Sequence, residues 1–419
     1  METFVYRTKR RMRCGFTTGT CAALAAKAAV KALTGSMFPE QEEITTPDRS
    51  VVRARIEEAR TGQDKDGRMW AECAVRKDAG DDPDVTDGLL IFVRAEFLRE
   101  EEMPGGMQRG QADAETPERV PYCLIEGGTG VGRVTKPGLD QPPGEAAINS
   151  GPRRMMTGAV LGVLKERSEM RSVRLLVSVP DGEAVAEKTF NPLLGIKGGI
   201  SILGTSGIVR PMSHEALTET IRAHLKVLAA GGHRYVLAVP GNMGVDFVRG
   251  YLETADLPGR TGNTDATVSG SFVICSNFIG ETIDLAGELD FSGLLFAGEL
   301  GKLVKLGNGI MNTHSREGDA RMDTLLSCAL TAGADRQLLL KIQSANTTRE
   351  AVRLLKKDGI LEKTMEILLQ RMDFFLKRRA ADTLAVEALL FNPEFGFLGG
   401  TPGAKGLLAA LCGEAGSGQ

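Results

Sequence analysis

The sequence predicts a multi-domain α and β protein whose second part is built on a mainly parallel sheet. Three observations carry this. The chain has 419 residues, enough for two or three domains and a large core. From Ser172 onward, short apolar runs alternate with helical segments, the order a parallel sheet with helices on both faces requires. Before Ser172 the apolar residues alternate with period two, as in half-buried strands, after one alanine-rich helix.

That helix follows Arg13-Cys-Gly-Phe-Thr-Thr-Gly-Thr-Cys21, and Ala22, Ala23, Ala25, Ala26, Ala28 and Ala29 leave its backbone nearly bare. Thr17, Thr18 and Thr20 are candidate N-caps, because a threonine oxygen accepts the unpaired amides of a first helical turn. Two readings stay open: a capped, buried helix, or an anion site in which Thr17 and Thr18 touch substrate. Residues 50–57, 69–76 and 89–97 read as strands, and residues 99–121, acidic and rich in Gly and Met, as a flexible insertion without chemistry.

Residues 172–179 and part of 199–209 are the next strands, followed by a helix over 213–230. Strands at 235–239, 272–275 and 294–298 each lead into a helix: about 244–253, 279–289, and a third carrying Lys302 and Lys305. Ligands of such sheets bind at the carboxyl ends of the strands. The loops expected there, 204–207, 241–244, 276–277 and 298–302, are small or polar and make Gly204, Thr205, Gly241, Asn242 and Asn277 candidate cofactor contacts. Helices at 348–358 and 362–379, a strand at 385–391 and a frayed tail from 414 complete the chain.

Composition narrows the partners. Lys27 and Lys31 interrupt the small-residue run, so the basic start is not a signal peptide, and no run of about 18 apolar residues predicts a membrane span. Seven scattered cysteines with no C-x-x-C pair predict reduced thiols, a cytoplasmic protein and no structural zinc. A net charge of −3, one Trp and four Tyr give nucleic acid neither a global field nor stacking platforms.

Two motifs invite ligands. Glu126-Gly-Gly-Thr-Gly-Val-Gly132 has the spacing of a nucleotide-type loop and makes Gly128 and Gly130 candidate cofactor contacts. Lys136-Pro137 and Pro142-Pro143 follow, however, where such a loop would open a helix. Residues 78–88 pack five carboxylates into eleven positions without an EF-hand register. They are either a solvated acidic turn or a cation site, with Asp82 and Asp84 as candidate cofactor contacts. Cations beside rigid turns (Lys136, Arg153, Arg154, Arg210, Lys302) suit a carboxylate grip. His314, in a polar segment after a helix, is the catalytic candidate.

The stretches RCGFTTGTCAALAAKAA (13–29), KDAGDDPDVTDG (77–88), GGTGVGRVTKPGL (127–139), PPGEAAIN (142–149), FNPLLGIKGGISILGTSGIVRPMS (190–213), SNFIGETID (276–284) and GKLVKLGNGIMNTHS (301–315) resemble the cobalt-precorrin-5B C(1)-methyltransferase (CbiD) family in order. The resemblance implies an α+β domain joined to a Rossmann-like α/β domain. The expected division is 1–195, 196–335, a C-terminal segment 336–413 packed back on the body, and the tail. It also implies methyl transfer from S-adenosylmethionine (SAM) to a polycarboxylate tetrapyrrole in cobalamin biosynthesis, with cobalt only in the substrate and no protein metal site. The alternative is a non-methylating corrinoid-binding or tetrapyrrole-modifying protein. Neither nucleic acid nor membrane is expected as a partner, and a homo-oligomer is allowed. The family pattern has Gly-His-Ile-Gly where this chain has Gly298-Glu299-Leu300-Gly301.

Overall fold

The computed structural model describes residues 4–7, 10–103, 121–254 and 271–417. Most of the expected insertion, residues 104–120, lies outside the described residues. The chain forms two compact units, Met1–His214 and Glu215–Gln419.

The first unit is organised by a five-stranded mixed sheet in the order Glu57–Gln63, Met69–Arg76, Leu90–Phe97, Val173–Ser178, Cys123–Gly127, of which only the last pair is parallel. Its apolar face is covered by the helix Thr18–Leu33. Alanines 22, 23, 25, 26, 28 and 29 are fully buried there, because side chains this small let a helix settle closely on a sheet. A second helix, Ser150–Glu166, packs against the first. At their contact a Cβ on Gly19 would lie 2.5 Å from Pro152 Cγ. This second helix was not legible: Gly151, Pro152, Gly158 and Gly162 obscure its periodicity.

Residues 196–209 do not join the parallel sheet of the second unit; of their own short ladders only the one at Gly199–Ile200 is parallel. They form short ladders inside the first unit, Ile196–Lys197 with Arg133–Val134, Gly199–Ile200 with Gly130–Val131, and Ile208–Val209 with Gly15–Phe16. The loop 204–207 therefore sits at no strand end of the second unit's parallel sheet, contrary to expectation.

The second unit holds a five-stranded sheet in the order Phe272–Ile274, Tyr235–Val239, Gly293–Glu299, Ala385–Asn392, Gly396–Gly400. The first four strands are parallel and the last, a hairpin partner, is antiparallel. Helices Asn242–Thr254 and Ala404–Ser417 bury one face through Val245, Val248, Leu407 and Leu408. The other face carries the larger core, including Ile279, Phe296, Leu325, Leu368 and Met372. Helices Arg321–Ala332 and Arg336–Ser344, both on this side, escaped the sequence reading. The last helix continues to Ser417 instead of fraying at 414, because the Glu414 carboxylate accepts the backbone N–H groups of Arg234 and Tyr235.

Candidate functional site at the strand ends of the second unit

In chain order the parallel strands run 2-1-3-4 across the sheet, so the connection reverses between Tyr235–Val239 and Gly293–Glu299. Such a reversal opens a crevice beyond the carboxyl ends of the two strands, because their following segments leave in opposite directions. Pro240, Gly241 and Asn242 follow one of these strands, and Asn242 starts a thirteen-residue helix in whose first turn Gly244 N–H donates to Gly241 O at 3.0 Å. A Cβ on Gly241 would meet nothing within 4 Å, whereas one on Gly244 would lie 2.5 Å from Ala297 O. The helix thus hugs the central strand while its start stays open.

Glu299 and Lys302 line the other side. Lys302 Nζ donates to Pro240 O at 2.9 Å, bridging the two strand ends. The helix expected here to carry Lys302 and Lys305 is a single turn, Leu300–Leu303, followed by a 3-10 turn, Val304–Asn308. Glu299 stands at the N-cap position of that turn, half-buried, and its carboxylate makes no cap bond and has no partner among the described residues.

The neighbouring strand end adds a second polar cluster. Ser276 adopts φ +53°, a left-handed conformation uncommon for a residue other than glycine. Asn277 accepts Thr313 N–H at 3.0 Å through its carbonyl, and its side-chain oxygen lies 3.2 Å from Thr313 Oγ1. Gly280 N–H donates to Met311 O, so residues 311–313 are pinned along this turn. His314 follows, exposed, with Nδ1 accepting Arg316 N–H at 3.1 Å. That bond leaves the proton of the neutral ring on Nε2, which makes the outward nitrogen a donor. Gly241, Asn242, Asn277, Lys302 and His314 are therefore placed on strand-end segments of one unit. Ser276 and the unpartnered Glu299 were missed as candidates; the Gly-Glu pair ending an apolar strand was the available signal for Glu299.

The first-unit candidates stand differently. Thr17 caps its helix by accepting Thr20 N–H at 3.2 Å, and Gly19 N–H donates to Leu203 O. Thr18 Oγ1 accepts Leu203 N–H at 2.9 Å, and both threonines are buried. A Cβ on Gly204 would lie 2.3 Å from Thr17 Oγ1, so the loop carrying Gly204 and the exposed Thr205 seals this helix start. The threonines face their own chain, not an anion.

The glycine loop is likewise a packing device. Gly128 N–H donates to Val177 O and Gly132 N–H to Ile200 O, which occupies the amides an anion nest would need. Cβ atoms on Gly128 and Gly130 would lie 2.4 Å from Ser178 Oγ and 1.7 Å from Val179 O.

All five acidic side chains of 78–88 are engaged within the unit. Arg13 grips Asp78 through both terminal nitrogens and donates its backbone N–H to Asp81. Asp82 accepts Met212 N–H and Asp87 accepts Ala79 N–H. Asp84 accepts Lys77 Nζ at 2.7 Å and both the N–H and hydroxyl of Thr86. Lys77 is buried, so this pair is a structural bolt and not a cofactor contact. Burial pushes the Asp84 carboxyl up, but the charge and bonds of Lys77 and the Thr86 bonds outweigh it and hold its pKa below the usual carboxylate value. A depressed folded-state pKa contributes stability that is present above the unfolded value near 4 and lost as pH falls through the folded one. Asp84→Asn should flatten the acid limb of the stability curve and, at neutral pH, lower stability by about 2 kcal/mol, the worth of a hydrogen bond to a charged group. Denaturant melts from pH 2 to 7 read both effects.

Arg153 and Arg154 lie in the first turns of Ser150–Glu166, not beside a rigid turn. Arg153 donates to Ile148 O at 2.9 Å and Ile125 O at 3.0 Å, tying helix to sheet. Arg153→Ala should cost about 1–3 kcal/mol in stability, read by thermal melts, because two backbone carbonyls lose a charged donor. Arg154 and Lys136 are exposed, and Arg210 is exposed with Asp48 at 3.7 Å.

The CbiD family profile matches residues 5–211, and that of the CbiD C-terminal domain matches 312–402. The cobalt-precorrin-5B C(1)-methyltransferase of Ruminiclostridium cellulolyticum is 39% identical over 396 residues, covering 94% of this chain and 92% of that protein. The enzyme of the same name from a Thermoanaerobacter species is 37% identical over 399 residues, covering 95% and 98%. A crystal structure of a cobalamin biosynthesis protein (cbiD) from Archaeoglobus fulgidus shares 24% identity at a TM-score of 0.36, covering 76% of this chain and 86% of that one. Matched from end to end by relatives at this level of identity, the chain belongs to the CbiD family.

Proposed function

We propose that this protein transfers a methyl group from SAM to C-1 of cobalt-precorrin-5B, giving cobalt-precorrin-6A in cobalamin biosynthesis in the cytoplasm. Near full-length similarity to cobalt-precorrin-5B C(1)-methyltransferases supports the reaction. The observation that carries the site is the Glu299 carboxylate, without a partner among the described residues, on the same strand-end segment as Lys302 at the sheet reversal.

SAM carries a sulfonium, an ammonium and a carboxylate, and the residues of the crevice fit all three. Glu299 would hold the positive groups, while Lys302 and the Asn242 and Met243 amides would receive the carboxylate, with Gly241 leaving space for approach. The four parallel strands then serve as a Rossmann-like frame, with the ligand at the switch point. Bound SAM supplies an activated methyl carbon on sulfur. What remains for the protein is to exclude water and hold ring carbon, methyl and sulfur in line. His314, presenting an Nε2 donor, suits a hydrogen bond to a substrate carboxylate better than removal of a proton. The exposed cations Lys136, Arg154 and Arg210 offer further carboxylate contacts.

Incubation with SAM carrying a 13C methyl group and cobalt-precorrin-5B should raise the tetrapyrrole mass by one labelled methyl and place the label on C-1. Absence of both the mass shift and SAM binding would refute the reading.

A further inference from the structure

Lys305 belongs to no part of the site described so far. Its side chain is 2% exposed, in the 3-10 turn Val304–Asn308, between the fully buried Val304 and Leu306. An ammonium has three donors, yet among the described residues this one has a single partner, Thr313 O at 3.0 Å. The charges that bear on it most are Asp319 and Arg321, and their influences oppose each other. Asp319 attracts the lysine but is gripped by Arg321, at 2.6 and 2.7 Å, and forms no ion pair with Lys305.

A buried cation without a direct ion pair carries a desolvation cost that a leucine or methionine packed there would not. Its place in the fold supplies a reason for it. Thr313, the lysine's only partner, is bonded to Asn277 at the end of Phe272–Ile274 and directly precedes His314. The Asn277 side-chain nitrogen also has no partner among the described residues. Two unfilled donors, one charged, thus converge on Thr313 at the strand-end side of the sheet.

We infer that Lys305 is a substrate-binding residue that receives one carboxylate of the tetrapyrrole, with the Asn277 amide as second donor. The inference rests on the methyltransferase reading and adds a substrate subsite separate from the proposed SAM crevice. Burial pushes the lysine's pKa down in the free protein, and a bound carboxylate would restore it.

The test compares binding of cobalt-precorrin-5B and of S-adenosylhomocysteine by titration calorimetry, with thermal melts of the ligand-free protein. Lys305→Met should weaken cobalt-precorrin-5B at least tenfold, leave S-adenosylhomocysteine within twofold and not lower the Tm. Asn277→Asp, which supplies an internal counter-ion, should raise the Tm and also weaken the tetrapyrrole. Tetrapyrrole affinity within threefold of wild type in either folded variant overturns the subsite. So does equal weakening of both ligands with a fallen Tm, which marks a purely structural lysine. Failure of the wild-type protein to bind cobalt-precorrin-5B would refute the enzyme reading instead.

Discussion

Gly130→Ala is expected to unfold the first unit under conditions where the wild-type chain is folded. Gly130 sits at φ +70°, and an added Cβ would lie 1.7 Å from Val179 O, a backbone atom that cannot swing aside. The crossing is shared: Cβ atoms on Gly182 and Gly199 would lie 2.1 and 2.2 Å from Gly130 O. Val179 is also bonded to the loop, its N–H donating to Thr129 O at 2.8 Å, so strand end and glycine loop cannot separate cheaply. A left-handed alanine costs roughly 1–2 kcal/mol, and overpacking a close contact adds about 1–3 kcal/mol. The sum, about 2–5 kcal/mol, is a large part of the 5–15 kcal/mol that holds a typical domain. Chemical denaturation of Gly130→Ala, Gly182→Ala and Gly199→Ala should show all three destabilised, Gly130→Ala most, because only it combines the clash with a positive φ. A Gly130→Ala protein as stable as wild type, with SAM affinity lost, would return this loop to the role of ligand cradle.

The glycine crossing also shows where sequence reasoning stops. The strands Met69–Arg76, Val173–Ser178, Tyr235–Val239 and Gly293–Glu299 were legible because apolar runs and alternation are local signals. The partners of the two-residue ladders at 130–134, 196–200 and 208–209 were not, although a strand was expected within 199–209, since such pairings exist only where distant backbones meet. The acidic turn illustrates the same limit for charge. Its five carboxylates suggested a cation site, but Arg13, 65 residues away in sequence, neutralises Asp78, and Met212 N–H reaches Asp82 from 130 residues away. Partners at such separations leave no mark on local composition. The strand-end loops of the second unit could be placed because the alternation of strands and helices implies the parallel order, and that order dictates which loops share an end.

Glu299→Ala should weaken SAM binding roughly 100-fold while leaving the Tm near the wild-type value. The two halves of this expectation have one cause. A carboxylate without a partner holds nothing together in the free protein, so its loss removes no native bond. Against a sulfonium and an ammonium, the same carboxylate supplies charge-assisted hydrogen bonds and direct attraction, each worth about 1.5–3 kcal/mol. Losing about 3 kcal/mol corresponds to roughly two powers of ten in affinity. Glu299→Gln separates charge from shape: it keeps an acceptor in place, so it should fall between alanine and wild type. Lys302→Ala is the complementary probe, because its ammonium already bridges to Pro240 O. It should lower the Tm slightly as well as weaken SAM, where Glu299→Ala affects SAM alone. Isothermal titration with SAM and its demethylated product sharpens the assignment further. The product lacks the sulfonium charge, so if Glu299 faces the sulfur the alanine variant should lose more affinity for SAM than for the product. If it faces only the ammonium, the two losses should match. SAM affinity within threefold of wild type in Glu299→Ala would move the cofactor away from this reversal of the sheet.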